Sequence, residues 1–319
     1  MTSNNLYQAC CHLYDFRIPI PKDSVDFKIS LKSCLQVVEV AEFAEILTSS
    51  RRALVSSLQG REDSADQSLE ILNPYLENLL RFSKSIDLST SAAGEDIFKF
   101  DIDPIYEWRG HLTGESLFFG TNSLIYELIM VLHTKAILYH QKARNLIALD
   151  VISQLAEAGK HLLTAASIMN GICRYLTTEI LPAKLNNKVQ NPPEVYHSVC
   201  LSLYHYFRGS AEAMSTVKAL TTPSTPLQLK SRLALGVMNS AVSALSYIST
   251  VFTASNSNYL FLVHLAAVRE LFAAIAFFHL AESYMDKKEV GIAMAYCTAA
   301  KVASYCMWVL CIHHNVMLV

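Results

Sequence analysis

The cysteine and histidine side chains near the C-terminal end are the residues of this sequence best suited to metal chemistry. Cys306, Cys311, His313 and His314 offer thiolate and imidazole ligands of the kind that hold zinc. Their spacing matches no familiar zinc finger, and buried thiols beside surface histidines explain it more simply. A second group, Cys10-Cys11-His12, is excluded because adjacent cysteines cannot readily both ligate one tetrahedral ion. The sequence therefore predicts no metal site.

Acid–base or nucleophilic catalysis would need a different set of residues. His133, His140, His264 and His279 fall within helical patterns, and they could act as bases only if a cleft gathered acids around them. We interpret them as core or groove histidines. The chain has no glycine-rich phosphate loop, nucleophile elbow, kinase motif set or His-Glu-x-x-His. We expect no catalytic residues, no cofactor and no enzymatic activity.

Isolated charges in apolar helical segments predict ion pairs, because buried charges usually need partners. These residues are Glu127, Glu212, Arg269 and Glu270. We expect pairs within or between helices, with Arg269 bonded to a carboxylate on a neighbouring helix.

The composition indicates a protein with a large core and no affinity for nucleic acid. Apolar residues make up 52% of the chain and charged residues 17%, so disorder is excluded. The formal net charge of −2 leaves no basic stripe for a row of phosphates. The eight cysteines lack paired spacing, which favours a reducing, cytoplasmic compartment.

Two apolar segments are long enough to be considered as membrane spans. The segment 259–280 contains His264, Arg269 and Glu270, so a buried core helix is the better interpretation. The segment 303–319 is short for a span. Thr2 in place of glycine, and the final residues Met317-Leu318-Val319, encode no lipid anchor.

Hydrophobic periodicity predicts a mainly helical fold with one small sheet. Residues 1–30 look irregular or extended, whereas 31–58 and 64–82 have helical spacing, with Pro74 expected to kink or bound the second segment. Between 85 and 120 the pattern changes to that of a small sheet. Further helices are predicted near 121–146, 149–181, 194–220, 227–253, 259–286 and 288–311. Such long helices, stacked antiparallel, predict an elongated solenoid.

The last two predicted helices carry a weak tetratricopeptide-like pattern. Leu280, Ala281 and Tyr284 are followed by Gly291, Ala295 and Ala299. We expect small side chains to let these two helices approach closely.

From about Phe16 to Lys301, the order of these features resembles the Bro-one domain of ALIX-type endosomal-targeting proteins. The residues concerned are Arg17-Ile18-Pro19, Phe98, Phe100, Trp108, the helix around Tyr126-Glu127-Leu128, the Pro192-Pro193 boundary, Ser210-Ala211-Glu212-Ala213, Ala276-Phe277-Phe278-His279 and the segment from Gly291 to Ala300. The last of these is most similar to the plant-like branch. The resemblance implies a curved helical solenoid with a tetratricopeptide-like core and a small sheet in the N-terminal third.

The resemblance also implies a function and a site. It implies a non-catalytic scaffold that binds the C-terminal amphipathic helix of an ESCRT-III subunit in multivesicular-body sorting, recruited from the cytoplasm to the endosomal membrane through its partners. The groove residues carried over are Met214 or Val217, then Leu233 and Val237. We expect Leu233 and Val237 to be solvent-accessible on one face with the helix that follows Pro193. The alternative is that they face the core.

We interpret residues 1–319 as a single domain, with strands and helices in 1–120, the solenoid core in 121–302 and a divergent tail in 303–319. The resemblance ends near Lys301, so the sequence predicts a C-terminally truncated domain with an exposed apolar flank on its last helices. Two other functions stay open at this point. One is a general tetratricopeptide-type adaptor that binds other peptides, and the other is a helical enzyme that uses a histidine and a carboxylate.

Overall fold

The computed structural model describes residues 3–31, 38–60, 64–92, 104–112, 117–180, 192–251 and 259–314. These residues form α1 (Ser3–Cys10), β1 (Ile20–Pro21), α2 (Phe27–Ser30), α3 (Val38–Gln59), α4 (Ala65–Ala92), β2 (Tyr106–Arg109), β3 (Phe119–Thr121), α5 (Leu124–Leu149), α6 (Val151–Gly171), a π-helical continuation of α6 (Ile172–Ile180), a 3-10 turn (Pro193–Val195), α7 (His197–Thr221), α8 (Leu227–Ile248), α9 (Tyr259–Asp286) and α10 (Val290–His314). The predicted mainly helical fold with a small sheet is confirmed.

The sheet has three antiparallel strands in the order β1-β2-β3. Glu107 of β2 pairs with Gly120 of β3, and Ile20 of β1 pairs with Arg109 of β2. Pro21 is tolerated because β1 is an edge strand, where a missing backbone donor breaks no inner ladder. Phe98 and Phe100, which were expected near this sheet, lie outside the described residues.

The N-terminal segment was expected to be irregular or extended, which agrees with strand β1 but not with helices α1 and α2. Ala9 and Cys10 are buried, and Leu6 and Tyr7 pack against the same core cluster. A short helix with little intrinsic propensity is thus stabilised by tertiary packing. Pro74 lies inside α4 and does not end that helix.

The chain divides into two compact units. One contains residues 1–15, 139–170 and 198–319, and the other contains 16–138 and 171–197. In the second unit, large aromatic side chains such as Phe27, Phe82 and Trp108 are fully buried. The first unit holds the predicted groove helices, α7 and α8, together with α9 and α10.

Helices α9 and α10 pack closely, as the small residues predict. Ala276 and Ala293 are buried, and the rings of Tyr284 and Tyr296 stack with their centroids 5.6 Å apart. The turn between the helices is tight because Lys288 adopts a positive φ of 64°. The Glu289 N–H then donates to the Tyr284 carbonyl, which caps the end of α9.

Among the described residues, two helices, α9 and α10, are long and apolar enough to cross a membrane by length and composition alone, and both lie in the first unit. Over half of the apolar stretch of α9 is buried, as in a core helix of a globular protein. Only 11% of the apolar stretch of α10 is buried. The interpretation of 259–280 as a core helix agrees with that burial. The outer surface of α10 is therefore largely exposed.

Candidate partner-binding surface

The α7–α8 pair is held together by small side chains and by buried hydroxyl groups. Gly209 of α7 lies so close to α8 that a Cβ added there would stand 2.7 Å from the Cβ of Ser240. Ser202 Oγ donates to the Ala244 carbonyl at 2.8 Å. The two helices therefore cross at close range, because glycine and serine leave room for the backbones.

A polar network follows the same seam toward solvent. Arg208 Nε donates to Glu212 Oε1 at 3.0 Å, and Ser240 Oγ donates to Glu212 Oε2 at 3.0 Å. A hydrogen bond with the Tyr204 hydroxyl and the pairing with Glu212 raise the pKa of Arg208. The expected ion pair at Glu212 is confirmed, and it links α7 to α8 through Ser240.

Solvent accessibility was expected of Leu233 and Val237, and it is wrong for Val237. Met214, Val217 and Val237 are at most 2% exposed and belong to one core cluster with Ala158, Phe272 and Ile275. They are buried because these faces of α7 and α8 pack against the neighbouring helices of the unit. Leu233 is half-buried and stays at the surface. The core-facing alternative therefore describes Val237.

Two exposed positions on α8 were missed. Leu229 is 46% exposed one helical turn before Leu233, and Tyr247 is 37% exposed near the end of the helix. Together with Leu233 and Gly236 they lie at steps of four, three and eleven residues, which places them on one side of α8. We name Leu229, Leu233, Gly236 and Tyr247 the α8 stripe. The helical spacing of these positions from Leu233 could have identified the α8 stripe in the sequence. Ser240 lies on the same side but is buried against Gly209 of α7.

A cleft of about 580 Å³ lies elsewhere in the same unit, between α1 and the α5–α6 turn. Cys11 and His12 line it, together with Arg144, which pairs with Asp15. Burial raises the pKa of the Cys11 thiol to about 12, so thiolate chemistry is disfavoured at neutral pH. Burial, followed by the nearby Arg144 charge, lowers the pKa of His12.

Three of the four histidines that were interpreted as core or groove residues lie in the interior. His133, His140 and His264 are buried, and burial lowers the pKa of each to about 3. His279 is instead partly exposed and contacts Glu282 at 2.8 Å. Among the residues that the structure describes, no group of three or more potential ligands could hold a metal ion. The side chains of Cys311, His313 and His314 lie outside that description.

The remaining isolated charges are paired, with one difference from expectation. Glu127 forms a buried pair with Arg51 of α3. Arg269 bonds to Glu270, its neighbour on the same helix, at 2.8 Å. The predicted partner of Arg269 on another helix is therefore wrong, because the adjacent carboxylate satisfies it.

No known family model matches the sequence, and no curated protein matches it significantly. Among solved structures, ALIX in complex with the SIVmac239 PYKEVTEDL late domain is similar, with a TM-score of 0.72 and 18% identity over 92% of this chain. This chain spans 41% of the length of that ALIX chain.

Two structures of comparable size are also similar. The first is a Bro1 domain whose structure concerns the basis for endosomal targeting by that domain. It has a TM-score of 0.69 and 15% identity, and the match covers 94% of this chain and 78% of the other. The second is an ALIX Bro1–CHMP4C complex, with a TM-score of 0.70 and 18% identity. The match covers 91% of this chain and 78% of the other. At these identities the similarity establishes the fold. The chain has the fold of the Bro1, or Bro-one, domains.

Proposed function

We propose that this chain is a non-catalytic scaffold that binds the C-terminal amphipathic helix of an ESCRT-III subunit. In this proposal it works in multivesicular-body sorting, and the partner recruits it from the cytoplasm to endosomes. The observation that carries the proposal is the similarity to Bro1 domain structures over more than nine tenths of the chain. One of those structures is a Bro1–CHMP4C complex.

The α8 stripe is the proposed docking line. A bound amphipathic helix presents apolar anchors three or four residues apart, which matches the spacing of Leu229, Leu233 and Gly236. Gly236 lets the backbone of the partner approach closely, and Tyr247 offers an aromatic contact at the far end. Met214, Val217 and Val237 support this line from beneath, because they fill the core under it.

The polar network beside the stripe supports specificity in this proposal. Arg208 is half-exposed and Glu212 is about one third exposed, so both can reach a partner at the rim. Rim charges mainly steer association and fix register, whereas the apolar anchors supply most of the affinity. Losing one central anchor costs roughly 1–3 kcal/mol of binding free energy, or about 5- to 150-fold in Kd.

The test is a titration of the full chain with a fluorescently labelled C-terminal peptide of CHMP4C. Leu233→Asp should weaken binding at least ~10-fold, because it places a carboxylate among the anchors. Val242→Asp is the matched control, since Val242 is exposed on α8 nine residues away, on the opposite side of the helix. Absent binding by the wild type, or equal loss in both variants, would contradict the proposed site.

The general peptide-binding adaptor is the second candidate, favoured by the close α9–α10 packing with its Tyr284–Tyr296 stack. This candidate predicts that extended peptides bind the chain and helical ones do not. Titration of the same chain with both kinds of peptide separates the two functions.

A further inference from the structure

The N-terminal segment packs on the first unit through a small set of aromatic and polar contacts. We name residues 3–15 the strap; it consists of α1 and the chain as far as Asp15, after which the chain leaves this unit. The Tyr14 N–H donates to the Tyr206 hydroxyl of α7 at 2.7 Å, and Asp15 pairs with Arg144 of α5. Because the strap is a terminal segment, it can detach without unfolding the helices beneath it.

His264 of α9 lies directly beneath the strap. The centroid of its ring is 5.6 Å from those of His12 and Tyr14, and 5.8 Å from that of Tyr206. His264 is 1% exposed, and neither of its ring nitrogens has a hydrogen-bond partner among the residues that the structure describes. A cavity of about 20 Å³ adjoins it, with Cys10 and His12 of the strap in its wall. The strap therefore separates His264 from water.

The Tyr206 hydroxyl joins the strap to a second buried histidine. It accepts hydrogen bonds from the Tyr14 N–H and from Ser210, so its own proton is available to His140 Nε2, which lies 3.5 Å away. His140 accepts that hydrogen bond only while Nε2 is unprotonated. Protonation of His140 therefore breaks this contact and places a cation beside the anchor of the strap.

The titratable groups around His264 favour its neutral form. Those that face it from the strap, from α5 and from α7 are Cys10, His12, Tyr14, His140, His205 and Tyr206. Helix α8 and the neighbouring turns of α9 face the adjoining cavity with apolar side chains. Burial, and after it the charges of His12 and His140, lower the pKa of His264 to about 3. Asp15 is the one carboxylate of the strap, and it is paired with Arg144.

We propose that acid releases the strap: protonation of His264 detaches residues 3–15 while the helices beneath them stay folded. In the docked state the ring excludes the proton, whereas in the released state it meets water and titrates near 6.5. Docking is therefore fully stable above about pH 6.5 and weakens as the pH falls. Between pH 7.5 and pH 5, this single ring raises the released fraction by about 30-fold. His140 adds to the effect through the Tyr206 hydroxyl, and the inference does not depend on ESCRT-III binding.

The test follows the thiols of Cys10 and Cys11, which are buried in the docked strap. The full chain is treated with a pyridyl disulfide that modifies thiols in mild acid as well as at neutral pH, and peptide mass spectrometry assigns each modification. Exposed Cys297 reports the reagent's own rate at each pH, and buried Cys200 of α7 reports unfolding of the unit. Relative to Cys297, the strap thiols should be modified at least ~10-fold faster at pH 5 than at pH 7.5, while Cys200 stays protected.

Substitution of one histidine identifies the group that titrates. His264→Phe should remove most of the increase, because phenylalanine fits this aromatic site and cannot take up a proton. His279→Phe is the matched control, since His279 is partly exposed on the same helix, and it should leave the increase unchanged. Circular dichroism at pH 7.5 verifies that each variant folds.

A second variant tests the anchor without altering a histidine. Tyr206→Phe removes the hydroxyl that accepts from the Tyr14 N–H, so the strap thiols should be modified roughly 2- to 10-fold faster at pH 7.5. Equal rates at both pH values in the wild type, or an unchanged increase in His264→Phe, would overturn the inference. So would no acceleration in Tyr206→Phe, or modification of Cys200 as fast as the strap thiols, which indicates unfolding of the whole unit.

Discussion

Glu127 accepts hydrogen bonds from three side chains that come from three different elements. Arg51 Nε of α3 and the Tyr75 hydroxyl of α4 donate to Oε1 at 2.9 and 2.7 Å. Trp108 Nε1 of β2 donates to Oε2 at 2.5 Å. Arg51 also donates to the Asp23 carbonyl. A carboxylate buried on α5 thereby ties the sheet to two helices of its unit.

Removing this carboxylate should be strongly destabilising. Glu127→Ala leaves Arg51 buried and unpaired, and breaking one partner of such a pair costs about 3–5 kcal/mol in the free energy of unfolding. Chemical denaturation measures the loss. Glu77→Ala is the control, because the Arg81–Glu77 pair is about two thirds exposed and contributes little. Comparable losses in both variants would refute the structural role of Glu127.

The buried histidines predict loss of stability in acid. Burial holds the pKa of His264 at about 3 in the folded chain, whereas the unfolded residue titrates near 6.5. Below pH 6.5, His264 therefore binds a proton in the unfolded chain but not in the folded chain. Its contribution to the free energy of unfolding is fully present above pH 6.5 and falls as the pH is lowered. Each such residue contributes a slope of up to ~1.4 kcal/mol per pH unit. Glu194 acts in the opposite direction, since burial raises its pKa to about 6.

Replacing one histidine isolates this effect. His264 lies beside Tyr14 and Tyr206 and next to a cavity of about 20 Å³, so His264→Phe fits an aromatic site that has spare room. Between pH 6 and 4, its free energy of unfolding should fall less steeply than that of the wild type, by up to ~1.4 kcal/mol per pH unit. Denaturant titrations over that range measure both slopes. Identical slopes would show that His264 is protonated in the folded state.

At the level of elements, α6 shows how well periodicity predicts a buried face. In α6 and its π-helical continuation, seven apolar residues that recur at steps of three and four are all buried: Leu155, Ala158, Leu162, Ala165, Met169, Ile172 and Leu176. In α4, Leu80 also falls within the predicted helix 64–82, but it is 40% exposed because Leu69, Leu72, Leu76 and Leu79 already define the buried side. Helix α1 was missed, since its stability comes from packing that local propensity does not encode.

Because α7 and α8 approach closely at Gly209, one added methyl group there should destabilise the folded chain. Gly209→Ala places a Cβ 2.7 Å from that of Ser240, and overpacking of this kind costs about 1–3 kcal/mol. Gly291→Ala in α10 is the control, because nothing lies within 4 Å of an added Cβ there. That control should be neutral or slightly stabilising. Thermal unfolding of both variants checks the contrast, and equal melting temperatures would contradict the close crossing.

For the whole molecule, the fold was more predictable than the proposed binding surface. Long helices and a small sheet follow from apolar spacing, which depends on each segment alone. Which side of α7 and α8 faces the core depends on their neighbours, so Met214, Val217 and Val237 were expected in a groove and are buried. Leu229 and Tyr247 share the helical spacing of Leu233, but spacing alone does not say whether that side of α8 is buried or exposed. The burial of one side of α8 is what assigns its other side to solvent.

The central claim is that this Bro1 fold holds an ESCRT-III helix, and isothermal titration of the full chain with the CHMP4C C-terminal peptide tests it most directly. The claim predicts saturable binding of one peptide per chain with a negative heat-capacity change, because apolar anchors are buried. A scrambled peptide of the same composition should give no binding, since it lacks the apolar spacing. No binding of the native peptide, or equal binding of the scrambled one, would contradict the claim.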